Sequence, residues 1–212
     1  MARIRNKPPT GYRNTMHNQQ EYSSGFTLIE LMATIVIAAI LFGVAIPSFS
    51  STITYSRLTA TTNDLVLALN IARSEAIKRG QQVVVRKTGS NWENGWQVFV
   101  DIDRSTSAKQ NVLDVGTDIE LKFYSSLPGS YTLRGSTNFV DFIRYQPNGS
   151  SNIPGSFVLC DNSDRNNIPE ANTAKLVTVN FAGRVHIGFD ADQDGIPENE
   201  VGTEISSCTI GI

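Results

Sequence analysis

The chain has 212 residues, with 18 Lys or Arg against 20 Asp or Glu and a formal net charge of −2. That length holds one small globular domain plus one membrane helix. The charge balance is not that of a general nucleic-acid binder, which needs a strong positive excess.

Residues 1–25 are polar, with Pro8, Pro9 and scattered Asn and Gln, and nothing in them can pack into a fold. Arg3, Arg5, Lys7 and Arg13 against Glu21 give this segment +3 (4 − 1), which leaves −5 (−2 − 3) for residues 26–212. The 21 residues from Phe26 to Ile46 then carry a single charge, Glu30. At about 1.5 Å per residue they make roughly 30 Å of helix, the thickness of a bilayer core. A carboxylate costs on the order of 2.5–3.5 kcal/mol at the bilayer centre and less near a span end, so Glu30 calls for a partner. The basic segment before the span places that end in the cytoplasm and the rest outside the inner membrane. Cys160 and Cys208 then meet an oxidising compartment, where a disulfide between them is expected; the alternative is two separate buried thiols.

The helical pattern continues past the apolar run. Gly43 and Pro47 should weaken or bend it. Beyond them Leu58, Leu65, Leu69, Ala72 and Ala76 recur at spacings of seven, four, three and four, one face of a helix. Arg57, Asp64, Arg73, Glu75 and Lys78 occupy the other face. Lys78 and Arg79 suit a helix C-terminus and Gly80 a stop. The spacing predicts one helix over 26–79. From residue 81 the pattern turns to β, with strands expected at 82–87, 95–102, 119–124, 131–134, 142–145, 156–160, 175–181 and 184–188. Turn signals separate them, among them Pro147-Asn148-Gly149 and Ala182-Gly183, the latter a tight hairpin. Long polar connections lie at 103–117 and 161–173. The fold class is α+β: a long N-terminal helix, its first half membrane-spanning, packed on a C-terminal β-sheet domain. Its parts are 1–25, then 26–48 as the membrane or filament-core half of the helix, 49–80 as the amphipathic half, and 81–212 as the globular β domain.

Gly25-Phe26-Thr27-Leu28-Ile29-Glu30, with the basic segment before it and Pro47 after about six helical turns, strongly resembles the N-terminus of type IV pilin precursors. The resemblance implies that residues 1–25 are a leader cut off after Gly25 by a prepilin peptidase and that Phe26 is then N-methylated. It also implies that Glu30 recruits the subunit into a filament. A buried Glu30 gains most by pairing with the free amino group of Phe26 on a neighbouring subunit. Further along, Ala72-Arg-Ser-Glu-Ala-Ile-Lys-Arg-Gly80, Gly95-Trp-Gln-Val-Phe-Val-Asp101, Tyr145-Gln-Pro-Asn-Gly149, Phe157-Val-Leu-Cys160 and Gly183-Arg-Val-His186 look like the minor pilins of the FimT/FimU and GspH group. That group contains pilus subunits and the H pseudopilins of type II secretion. The cysteine pair looks more like FimT or FimU. The implied function is a structural subunit for pilus assembly or priming at the filament tip, supporting twitching motility. The implied partners are the major pilin, other minor pilins, the prepilin peptidase/methyltransferase and the inner-membrane assembly platform. The chain would sit in the inner membrane by a single pass, with its C-terminal domain in the periplasm, and then in the pilus at the cell surface.

No catalytic constellation is evident, and the only histidines are His17 and His186; an enzyme is not expected. Some FimT-like pilins bind DNA through a Gly-Arg-x-Arg motif during transformation, and here Arg184 is kept while His186 stands in the second arginine's place. Neutral histidine supplies little phosphate affinity, and Asp190, Asp192, Asp194, Glu198, Glu200 and Glu204 follow with no base between 190 and 204. Asp190, Asp192 and Asp194 before Gly195 have the opening of a calcium loop; Val201 stands where a bidentate glutamate is expected, and Glu198 or Glu200 would substitute with a different loop path. No cofactor is otherwise expected. Asp101 and Asp103 read as strand-end residues facing solvent.

Overall fold

The computed structural model describes residues 25–210, and for residues 44–51 the backbone only. Residues 1–24, most of the expected leader with His17, lie outside the described residues. Helix α1 spans Leu28–Arg79. At its start Thr27 Oγ1 accepts the Glu30 N–H at 3.3 Å and Thr27 O accepts the Leu31 N–H at 3.1 Å, the N-cap half of a Thr-x-x-Glu capping box. At its end Gly80 turns left-handed, φ +64, the usual close of a helix C-terminus. Gly43 and Pro47 fall within α1 without ending it.

The chain divides into two compact units between Ala45 and Ile46. In the first, Phe26, Leu28, Ile29, Ile40 and Phe42 lie exposed. Among the described residues no helix is long and apolar enough to cross a membrane. The expected span, 26–48, runs into residues 44–48, whose side chains lie outside the described residues.

The second unit holds the rest of α1 and eight strands: β1 Val83–Lys87, β2 Trp96–Val100, β3 Ile119–Tyr124, β4 Tyr131–Gly135, β5 Phe142–Tyr145, β6 Gly155–Asp161, β7 Ala174–Val179 and β8 Val185–Ile187. All eight lie where hydrophobic alternation and turn residues put them. They form two sheets of four antiparallel strands, ordered β3-β2-β1-β5 and β4-β6-β7-β8. Leu58, Leu65, Leu69, Ala72 and Ala76 are all buried and share one core with Trp96 and Val98 of β2 and Phe157 and Leu159 of β6. Trp92, in a short 3-10 turn before β2, meets Phe157 edge-on at 4.8 Å and donates its indole N–H to Phe139 O at 2.8 Å. The Lys175 ammonium sits 4.3 Å from the Tyr55 ring centre, while Arg73 Nε donates to Gly149 O at 3.0 Å beside Gly183. β7 therefore runs along α1 in the same direction.

The C-terminal segment covers the outer face of the second sheet. Ile196 and Ile205 pack on Val158 and Leu176 there, and a Cys160–Cys208 disulfide, Cα to Cα 5.7 Å, closes it down. The connection after β2 lies over the outer face of the first sheet, where Asn111 O accepts from Arg86 Nη1 and Asn111 Oδ1 from Arg144 Nη1, both at 2.9 Å. This corrects the solvent-facing reading of Asp101 and Asp103. Asp101 is 3% exposed, pairs with Arg104 and accepts the Asn111 N–H at 2.9 Å. Asp103 accepts from Ser105 and pairs with Lys109, which holds its carboxyl down at about 2. Once the strand ended, these carboxylates had a folded loop of cations and amides to bind instead of water.

Candidate functional site

Three places carry the residues singled out from the sequence. The first is the start of α1. Gly25 precedes the helix, and among the described residues nothing lies within 4 Å of a side chain added there. Phe26 is 81% exposed, and Glu30 lies in the first turn with its amide tied to Thr27. The Thr27-x-x-Glu30 spacing that sets this start was readable in the sequence as a capping box.

The second place is the β7–β8 hairpin. Asn180 O accepts the Gly183 N–H at 2.9 Å, Asn180 N–H donates to Arg184 O at 3.1 Å, and Gly183 has φ +71, a three-residue loop closed by a left-handed glycine. Gly183 also packs against chain: a Cβ there would lie 2.1 Å from Gly149 O. Arg184 is exposed. His186 points to the outer face, where its Nδ1 lies 3.3 Å from Glu200 Oε1. The histidine in the motif's second basic place thus lies beside an acid from the following loop. Sequence reasoning missed Glu200 as its partner, because nothing in the spacing marks it.

The third place is the acidic loop. One carboxylate oxygen from each of Asp190, Asp192 and Asp194 lies within 4.8 Å of the others, and so do those of Asp192, Glu198 and Glu204. Asp190 Oδ2 accepts the Gly195 N–H at 2.8 Å and Asp194 Oδ1 the Ile196 N–H at 2.7 Å. Gly195 has φ +92, the sharp turn expected of it. Glu198 is 5% exposed and accepts the Ala191 N–H at 2.8 Å. Glu204 joins because a β-bridge sets it opposite Glu198, a pairing that linear spacing did not reveal. The other acids, Asp194 foremost, then burial and Asp192, Glu198 and Asp190, push the Glu204 carboxyl above its usual range. This is the local charge density that a hard divalent cation would relieve.

A family profile described as "Type II transport protein GspH" matches residues 61–183. That is 123 residues (183 − 61 + 1) of the 212, more than half the chain. The chain belongs to the GspH family. A second profile, the "Prokaryotic N-terminal methylation motif", matches residues 22–46. Among solved structures the chain is similar to two crystal forms of the type IV minor pilin FimU of Pseudomonas aeruginosa. Each is 17% identical, with TM-scores of 0.49 and 0.48, covering 72% and 71% of this chain and 96% and 99% of the other. No curated protein matches the chain.

As a GspH-family chain with a methylation motif, this is a structural subunit of the pilin and pseudopilin kind and not an enzyme. It assembles with other pilins and is processed by a prepilin peptidase. The GspH match ends at Gly183, so β8, the acidic loop and Cys208 lie beyond it.

Proposed function

We propose that the chain is a minor type IV pilin: a subunit that enters a filament through α1 and presents its β domain to neighbouring pilins near the tip, for assembly and twitching. The observation that carries this reading is the methylation motif joined to a continuous helix, Leu28–Arg79, with Glu30 in its first turn. An exposed apolar helix end needs lipid or other helices around it, so the subunit waits in the inner membrane by residues 26–48, with its β domain in the periplasm. Cleavage follows Gly25, and Phe26 becomes the methylated N-terminus. The test uses full-length chain in its own cells. Glu30→Ala is expected to leave leader removal intact, read by mass, and to lower the amount of chain in sheared filaments. Equal filament content for Glu30→Ala and wild type would overturn the role of Glu30. Rescue of protein secretion rather than twitching in a deletion strain would move the chain to the alternative reading, an H pseudopilin.

A second reading attaches to the acidic loop: it binds calcium through Asp190, Asp192, Asp194 and Glu198, with Glu204 added. The buried Glu198 carboxylate among four other acids favours it. Calcium is expected to raise the melting temperature of the mature chain in detergent, and Asp192→Asn to abolish that rise. No difference between calcium and chelator would remove the reading.

DNA uptake is the weaker alternative, because the Glu200 carboxylate lies 3.3 Å from His186 beside Arg184, where it would repel a phosphate.

A further inference from the structure

Four strands end the two sheets: β3 and β5 in one, β4 and β8 in the other. An edge strand presents main-chain N–H and C=O groups that can template another strand, and proteins blunt such edges. Three of these four are blunted. On β4 the outward N–H groups of Tyr131 and Leu133 donate to Pro128 O at 2.9 Å and Glu93 Oε2 at 3.4 Å. On β5 Arg144 exchanges two bonds with Asn152, its N–H to Asn152 Oδ1 at 2.9 Å and its carbonyl from Asn152 N–H at 2.8 Å. β3 is broken by a bulge opposite Val98 and Phe99 and carries exposed Glu120 and Lys122, both edge-blunting devices.

β8 is not closed in any of these ways. Gly188 N–H donates to Leu176 O at 2.8 Å and Asn180 N–H to Arg184 O at 3.1 Å. In the antiparallel register Thr178↔His186, bonded positions alternate, so the main-chain groups of Val185 and Ile187 point away from β7. They meet no hydrogen-bond partner among the described residues. Phe181 and Ile187 lie 67% and 49% exposed along this edge; past the strand the Phe189 carbonyl is taken by the Glu198 N–H at 2.8 Å, so the open stretch is Val185–Ile187.

We infer that β8 is the docking edge of this subunit and receives an extended strand from a different pilin, one carrying a basic residue where it passes the acidic loop. This rests on reading the chain as a filament subunit. The open main-chain groups call for an extended segment. Asp190, Asp192 and Asp194, exposed just past β8, select a basic one. A second copy of this chain fits poorly. Its other edges are blunted. Two β8 edges meeting antiparallel would point the α1 helices in opposite directions, since α1 runs along β7, and two meeting parallel would bring the acidic loops together.

The test uses full-length chain in filament-producing cells. Ile187→Pro removes only an outward N–H and leaves the β7 ladder whole; Ile187→Thr keeps that N–H. A photoreactive residue at Phe181 reports the neighbour. Ile187→Pro is expected to be processed and to melt like wild type, yet to fall about tenfold or more in filaments, as the loss of interfacial hydrogen bonds implies. Ile187→Thr should remain near wild type, and the crosslink should reach a different pilin. Wild-type filament content for Ile187→Pro, or a crosslink only to a second copy or to DNA, would overturn the inference. Absence of the unaltered chain from filaments would instead refute the subunit reading beneath it.

Discussion

Gly183 cannot take a side chain where it stands. Its φ is +71 and an added Cβ would press on Gly149 O at 2.1 Å. Gly202 has a similar φ, +78, but open space around it. Gly202→Ala should therefore cost only the left-handed penalty, about 1–2 kcal/mol, and Gly183→Ala about 2–4 kcal/mol, the difference being the clash; urea unfolding of the two variants reads it. Asp103 offers a second test at this scale. Its carboxyl is held at about 2, from an ordinary 3.8, by the Lys109 ammonium first and then by Ser105. A lowered acid stabilises the fold above its unfolded value and loses that contribution as pH falls through the folded one. The loop should hold unchanged down to about pH 4 and lose this support as pH falls towards about 2. Lys109→Met should move the Asp103 midpoint upward in an NMR titration. Neither Gly149 as the neighbour of Gly183 nor Lys109 as the partner of Asp103 was legible in sequence. The first contact joins two loops, and the second needs a turn that brings residue 109 back over the strand end.

Helix α1 and the strands were the most legible elements, because burial imposes a period on each. The Leu58-Leu65-Leu69-Ala72-Ala76 face is the face that is buried. The division into two sheets was not legible. Alternation says that one face of a strand is covered, and says nothing of which strand lies beside it. β5 joins β1 across more than fifty residues of chain, whereas β4 pairs with β6. The segment after β8 has almost no regular structure, yet it covers Val158 and Leu176. It depends on the covalent link that closes the 48-residue separation between Cys160 and Cys208. Replacing both cysteines by serine should cost about 2–4 kcal/mol in chemical unfolding. The loss should concentrate in residues 190–208, read as faster amide exchange there than at β1 or β2.

At the scale of the whole molecule, charge is sorted along the chain: +3 before residue 26 and −5 after it. The mature chain should therefore give no gel shift with duplex DNA at low salt, and Arg184→Ala should change nothing; a shift that salt abolishes and Arg184→Ala removes would reinstate DNA uptake. The Thr27 cap has an electrical consequence for that mature chain. Leu28 opens α1 only two residues past the proposed cut. Cleavage would turn the Phe26 amide into an ammonium beside the positive pole of a helix, where a cation is unwelcome. Glu30, held in the first turn, is the anion that can offset both. Until a neighbour's amine takes over, the same carboxylate would keep the newly cut helix end close to neutral.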